Sequence, residues 1–122
     1  IASGCGELDI VIQNHTGSAC VLQKSQVNSG YLISSVPQSI PPNQSSDTIT
    51  LEQGLISGIS SVHVYRCGSE SIELRTNQGY CFMNAADVTG QIYSANSIHV
   101  RYIAQNGSWW SSYPGRMTWT IF

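Results

Sequence analysis

Ser61–Cys67 reads Ser-Val-His-Val-Tyr-Arg-Cys, a run whose side chains alternate in character and which ends in a cysteine. Successive side chains of a β-strand point to opposite faces, so the two valines lie on one face and His63 and Tyr65 on the other. Valine and tyrosine are also favoured in strands. The stretch therefore predicts a β-strand.

The same pattern runs along most of the chain. Short runs rich in valine, isoleucine, threonine and tyrosine alternate apolar with polar residues, turn-forming residues separate them, and no helical periodicity becomes established. A length of 122 residues suits one domain, residues 1–122. We expect an all-β fold, a two-layer antiparallel β-sandwich of about eight or nine strands. The predicted strands cover residues 8–13, 19–24, 30–34, 48–51, 61–67, 71–76, 80–83, 97–105 and 116–122.

Turn residues predict how these strands connect. Asn14–Ser18 predicts a hairpin turn between the first two strands, and Asn77–Gly79 predicts another hairpin because Asn and Gly tolerate positive φ. Prolines interrupt residues 35–46, and we expect this segment to cross over at a sheet edge because proline has no backbone donor. Residues 84–96 carry no clear pattern, and we expect a loop there.

The cysteines Cys5, Cys20, Cys67 and Cys81 indicate a small secreted domain stabilised by disulfides, because cytosolic reductants would keep such thiols reduced. The sequence allows three pairings. The shortest closures, Cys5 with Cys20 and Cys67 with Cys81, are the simplest, although the second requires the strand between its cysteines to leave the space between them. No Cys-x-x-Cys pair or histidine cluster accompanies the cysteines, so we expect no metal site.

Charge and hydropathy narrow the classes of partner. A formal net charge of −2 provides no basic face for a phosphate backbone, so we expect no nucleic acid partner. Apolar runs are far shorter than the roughly 20 residues that cross a bilayer, so we expect no transmembrane segment. The sequence starts at Ile1 without a basic-then-apolar leader, which we interpret as a mature secreted chain whose signal peptide has been removed.

Candidate catalytic residues form no distinctive motif. The chain lacks the Gly-x-Ser-x-Gly elbow of many hydrolases, and its carboxylates stand at no spacing that indicates glycoside cleavage. The histidines, His15, His63 and His99, are expected to face solvent from a turn and from two strands. We therefore expect a non-enzymatic protein that requires no cofactor.

Residues 106–115 place Trp109, Trp110 and Tyr113 among turn formers, and these three are the predicted ligand-binding residues. Neighbouring residues of an extended chain point to opposite faces, so at least one of the two tryptophans should approach solvent. An exposed indole can stack on a sugar ring or settle among lipid head groups. The alternative is structural: one tryptophan caps the end of the sandwich, and Tyr113 packs beneath the hairpin.

The order of turn residues in the first half of the chain resembles a known family. The positions that carry the resemblance are Asn14, Thr16, Gly17, Ser29, Gly30, Pro37, Ile40, Pro41 and the polar run 43–46. In this order they are similar to the aegerolysin-type β-sandwich, a family of small secreted proteins that bind membrane lipids and sometimes assist larger partners in forming pores. The resemblance covers roughly the first 55 residues and implies that Asn14 and Gly30 are structural residues.

Three functions follow as hypotheses. The leading one is a secreted binding module that acts at a membrane or cell surface and binds lipid through the aromatic loop. A carbohydrate-binding module that uses the same aromatic residues is the first alternative. The second is a secreted effector, such as a virulence effector, that binds a protein partner by strand addition at an exposed sheet edge.

Overall fold

A computed structural model describes residues 4–94 and 98–122. These residues form an all-β sandwich, which confirms the predicted fold class, and the helical content they contain is a short 3₁₀ turn at Gly4–Gly6. The strands are β1 Glu7–Asn14, β2 Cys20–Ser29, β3 Tyr31–Leu32, β4 Ser39–Ile40, β5 Gln44–Ser45, β6 Ile49–Glu52, β7 Ile59–Cys67, β8 Glu70–Gln78, β9 Ala85–Ala86, β10 Val88–Ser94, β11 Val100–Gln105, β12 Gly107–Ser108 and β13 Gly115–Ile121.

Two sheets make the two layers. The first has the order β11-β13-β1-β6-β3, with β5 also paired to β1, and the second has the order β10-β8-β7-β2-β4. A small pair, β12 and β9, lies apart from both. The predicted number of strands corresponds to the longer ones, because five of the strands in the described ranges are only two residues long. The neighbours β1 and β13 run parallel, with Leu8 opposite Gly115, whereas the expectation was a purely antiparallel sandwich.

The core lies between the layers and follows directly from side-chain alternation. Every second residue of β1 is buried, beginning at Leu8, and β8 and β13 repeat the pattern. The largest buried side chain, Trp119, donates its indole N–H to Thr76 Oγ1 across the core at 3.1 Å, so the polar edge of the ring is satisfied without water.

Strands β1 and β2 are not a hairpin, which corrects the predicted first turn. They belong to different sheets, and residues 15–19 cross from one layer to the other. Asn14 holds this crossing in place. It is fully buried, its Nδ2 donates to the carbonyls of Ser18 at 2.8 Å and Ile40 at 2.9 Å, and its Oδ1 accepts from the backbone N–H of Thr16 at 2.9 Å.

Gly30 has a similar structural role where the chain returns to the first sheet. It lies between β2 and β3 with a φ of +87°, a conformation that favours glycine. A β-carbon at this position would lie 2.6 Å from the carbonyl oxygen of Glu52. Both residues that the family resemblance marks as structural therefore have structural roles here.

The predicted second hairpin is also wrong. β8 continues to Gln78 and pairs with β7 through a tight turn at Gly68, whose φ is +66°, while residues 79–84 form a loop instead of a strand. The loop expected at 84–96 contains β9 and β10, and β10 pairs with β8 over seven residues. The strand expected from residue 97 starts at Val100; Ser97 lies outside the described residues, as does Ile1.

The disulfides join cysteines that are distant in sequence, so the short closures are wrong. Cys20 pairs with Cys67 at a Cα–Cα distance of 4.1 Å, because β2 and β7 are neighbours and these two residues stand opposite each other. Cys5 pairs with Cys81 at 5.9 Å and ties the 3₁₀ turn to the loop after β8.

His63 faces the core and not solvent, contrary to the expectation. It shares the inward face of β7 with Tyr65 and Cys67 and is 1% exposed. Alternation separates the two faces of a strand but does not say which one is buried, and here the larger ring of Tyr65 lies on the buried face. Burial lowers the pKa of His63 to about 4, so the imidazole is neutral at physiological pH.

Candidate functional site: an uncharged tip of three loops

Three loops meet at one end of the sandwich and form a surface that we call the tip. They are residues 53–58 between β6 and β7, residues 79–84 between β8 and β9, and residues 109–114 between β12 and β13. β1 starts at this end, since Glu7 stands opposite Glu52, the last residue of β6. The loops come together because the strands that carry them start or finish at the same edge of the two layers.

Side chains connect the first two tip loops. Gln53 makes a two-way hydrogen bond with the backbone of Cys81: the Cys81 N–H donates to Gln53 Oε1 at 2.8 Å, and Gln53 Nε2 donates to the Cys81 carbonyl at 3.1 Å. The hydroxyl of Tyr80 donates to the carbonyl of Leu55 at 2.7 Å. These contacts fix loop 53–58 against loop 79–84.

The third tip loop rests on the second. The backbone N–H of Trp109 donates to the carbonyl of Asn84 at 3.2 Å, and the rings of Trp109 and Phe82 are 5.4 Å apart between centroids in a tilted arrangement. Below them, the Cys5–Cys81 disulfide and Ala86 form a small buried cluster against which Trp109 packs. The tip therefore has its own small core.

The predicted binding residues occupy different positions in this surface. Trp110 is 72% exposed and Tyr113 is 58% exposed, whereas Trp109 is half-buried on the disulfide cluster. At least one tryptophan approaches solvent, although residues 109–112 form a turn and not the extended chain on which that expectation depended. Trp109 takes the capping position that the structural alternative described.

Further apolar side chains at the tip were missed by the sequence reasoning. Leu55 and Ile56 are about nine-tenths exposed, at 89% and 90%, and Phe82 and Met83 are exposed at 59% and 57%. Two signals were available: an apolar pair inside a glycine-bounded turn, and an apolar pair directly after a cysteine. Because residues 80–83 are predicted as a strand, the sequence does not place Phe82 and Met83 in an exposed loop.

The tip is uncharged, and acidic groups surround its base. None of the residues in the three loops is Asp, Glu, Lys, Arg or His. Glu7, Glu52 and Asp87 lie where the strands meet the loops and Asp9 lies two residues into β1, and we call these four carboxylates the acidic collar. The pKa of Glu7 is raised from its ordinary value, first by burial and then by repulsion from Asp9 and Glu52, so these groups are close enough to interact. One cation, Arg116, stands opposite Asp9 in the sheet.

Other candidate groups are dispersed. His15 follows β1 at the opposite end of the sandwich, His63 is in the core, and His99 precedes β11. No cluster of His, Cys, Asp and Glu able to hold a metal ion occurs within residues 4–94 and 98–122. In the same ranges no helix is long and apolar enough to cross a bilayer. A groove of about 390 Å³ lies away from the tip, lined by Gln13, His15, Arg101, Ile103, Thr120 and Phe122.

Comparisons with known proteins identify the fold. No family model matches the chain, and no curated protein sequence matches it. Among solved structures, the lipid binding protein Nakanori is similar with a TM-score of 0.74 and 9% identity, over 96% of this chain and 71% of that chain. IP-1A from Alcaligenes faecalis is similar with a TM-score of 0.64 and 10% identity, over 97% of this chain and 92% of that chain. The likeness is one of fold, and it is consistent with the aegerolysin-type sandwich that the first half of the sequence resembles.

Proposed function

We propose that this protein is a secreted, non-enzymatic module that binds membrane lipid through the tip. The observation that carries the proposal is the set of exposed apolar side chains that three separate loops bring to one uncharged surface. Large exposed apolar patches on small proteins mark interaction sites. The two disulfides suit an oxidising, extracellular location. The shared fold with a lipid binding protein adds support.

The chemistry of the side chains suits a bilayer boundary. Trp110 and Tyr113 have amphipathic rings, which are favoured at the level of lipid head groups. Leu55, Ile56 and Met83 are purely apolar and gain from deeper insertion. Removing a side chain of this size from water is worth about 1.5–3 kcal/mol, so several together can hold the protein at a membrane surface.

The bracing of the tip lowers the cost of binding. The loops are already connected by hydrogen bonds, by ring contact and by the Cys5–Cys81 disulfide. A surface ordered in advance loses little conformational freedom when it inserts, so more of the apolar burial contributes to affinity.

Lipid fits the tip better than carbohydrate does. A sugar ring stacked on Trp110 needs neighbouring side chains that hydrogen-bond to its hydroxyls. Ser111 and Ser112 provide exposed hydroxyls beside Trp110, but the other two loops present the purely apolar side chains of Leu55, Ile56 and Met83. The large apolar share of the tip therefore favours an acyl and head-group environment.

Vesicle flotation with substituted protein tests the proposal. The variant Leu55→Ser with Ile56→Ser removes the two most exposed apolar side chains without touching the core, and we expect its binding to phosphatidylcholine vesicles to fall about tenfold or more. Ile103→Ser is the matched control, because Ile103 is 73% exposed on β11 and lies outside the tip. Equal binding by the tip variant and the control would contradict the proposal.

A further inference from the structure

We propose that the acidic collar restricts the tip to uncharged, zwitterionic lipid surfaces and disfavours anionic ones. This inference rests on the proposed function and adds the class of membrane that the tip selects. It follows from the distribution of charge around the tip.

The tip offers no positive charge to an anionic head group. Its loops contain no lysine, arginine or histidine, so contact with an anionic bilayer brings no attraction from the inserting surface itself. Proteins that select anionic membranes do so with clustered lysines and arginines near the surface. The choice between lipid surfaces must therefore come from the apolar side chains of the tip and from the charged groups around its base.

Most of the charged groups around the tip are carboxylates. Glu7 and Glu52 stand opposite each other on β1 and β6, directly behind loop 53–58. Asp87 follows loop 79–84 and β9, and its Oδ1 accepts from Asn106 Nδ2 at 3.2 Å. Asp9 accepts from Thr50 Oγ1 at 3.1 Å, and it is the collar carboxylate that faces Arg116 across the sheet.

The remaining cations of the chain lie elsewhere. Arg66 stands beside the Cys20–Cys67 disulfide, and Arg101 lies over the ring of Phe122, 4.8 Å from its centroid. Arg75 lies within β8 and is paired with Glu73. Lys24 stands opposite Val64 within the second sheet. The sandwich is therefore acidic at the base of the tip and carries most of its positive charge away from it.

The collar comes close to the bilayer when the tip inserts. Leu55 is three residues beyond Glu52, a span of at most about 10 Å in an extended chain. The Debye length at physiological ionic strength is about 8 Å. Glu52, and Glu7 opposite it, therefore lie within roughly one screening length of the surface, where an anionic leaflet repels them, and Asp9 lies two residues deeper in β1.

The experiment compares two vesicle compositions at two ionic strengths. Wild-type protein is mixed with phosphatidylcholine vesicles and with vesicles in which about a third of the lipid is phosphatidylserine. We expect binding to phosphatidylcholine to be independent of salt. We expect phosphatidylserine to weaken binding by about tenfold at low salt, and added salt to restore it, because salt screens the repulsion.

A collar variant and a matched control identify the groups responsible. Glu7→Gln with Glu52→Gln removes two collar charges, and we expect this variant to bind both vesicle types almost equally. Asp47→Asn, at an exposed position outside the collar, should keep the full discrimination. Thermal unfolding followed by circular dichroism confirms that the variants are folded.

The other outcomes distinguish failure of the collar inference from failure of the proposed function. Wild-type binding that phosphatidylserine strengthens or leaves unchanged would overturn the collar inference while the proposed function stands. Full discrimination by the Glu7→Gln, Glu52→Gln variant would also overturn it. Absence of binding to either kind of vesicle would overturn the proposed function, and this inference with it.

Discussion

At the scale of single residues, two adjacent tryptophans have different surroundings. Trp109 packs on the Cys5–Cys81 disulfide and on Phe82, and Trp110, the next residue, stands 72% exposed. Replacing both tryptophans together would mix two effects, because loss of Trp109 leaves a cavity beside the disulfide. We therefore propose Trp110 and Tyr113 as the contact residues of this loop, and Trp109 supports them.

His63 makes the stability of the fold depend on pH. Its pKa is lowered from 6.5 to about 4 by burial, so between these values the unfolded chain takes up a proton that the folded protein excludes. The contribution of neutral His63 to the free energy of unfolding is complete above about pH 6.5. It is lost as the pH falls towards 4, at up to about 1.4 kcal/mol per pH unit. Urea unfolding at several pH values measures this slope.

The variant His63→Leu should lose that part of the slope. Other groups still titrate in the variant, so the informative quantity is the difference between it and wild type across the window from about pH 6.5 to about pH 4. His15→Asn is a suitable control because His15 is exposed. The same pH dependence in wild type and His63→Leu would show that His63 is not the group involved.

At the scale of elements, the two disulfides have separate tasks. Cys20–Cys67 links two neighbouring strands at the end away from the tip, while Cys5–Cys81 links the 3₁₀ turn to a tip loop. Each closes a long stretch of chain, with separations of 47 and 76 residues, so each restricts the unfolded chain by about 4 kcal/mol. Their effects on stability should be similar, and their effects on binding should differ.

Paired serine variants separate these tasks. We expect Cys5→Ser with Cys81→Ser to lower both stability and vesicle binding, because the tip loops lose their central support. Cys20→Ser with Cys67→Ser should lower stability by a comparable amount and keep binding, as measured by flotation at a temperature where both variants are folded. Equal retention of binding by both variants would show that the tip does not need its disulfide.

Several strands could be predicted from the sequence, although β10 was not among them, but the partners of the strands could not. Alternation located β1, β7 and β13 to within a few residues, because one face of each is buried. It carries no information on pairing, so β1 and β2 were assigned to one hairpin although they lie in different sheets. β1 pairs in parallel with β13, which is distant in sequence. Turn residues indicate contacts between consecutive strands only, so they could not predict this pairing.

At the scale of the whole molecule, the candidate site is an assembly that no single segment contains. The sequence identified one of its three loops, because tryptophans next to each other in a turn are unusual. Leu55, Ile56, Phe82 and Met83 join that loop only once the layers bring their strands to the same end. The collar shares this origin, since register places Glu7 beside Glu52.

The polarity of the molecule follows from the same assembly. One end presents exposed apolar side chains without charge, and the groups directly behind it are carboxylates. The other end carries the Cys20–Cys67 disulfide and Arg66, and the Asn14 crossing lies beside it. A molecule built in this way should approach a membrane with its strands running away from the surface and its far end in solvent.

Tryptophan emission on vesicles reports whether the tip inserts into the bilayer. Trp119 is fully buried and Trp109 is half-buried, so the response to solvent comes mainly from Trp110. With phosphatidylcholine vesicles whose acyl chains are brominated, we predict that the emission shifts to shorter wavelength and is quenched, and that Trp110→Phe removes most of both changes. Protein that floats with these vesicles while its emission neither shifts nor is quenched would contradict insertion of the tip.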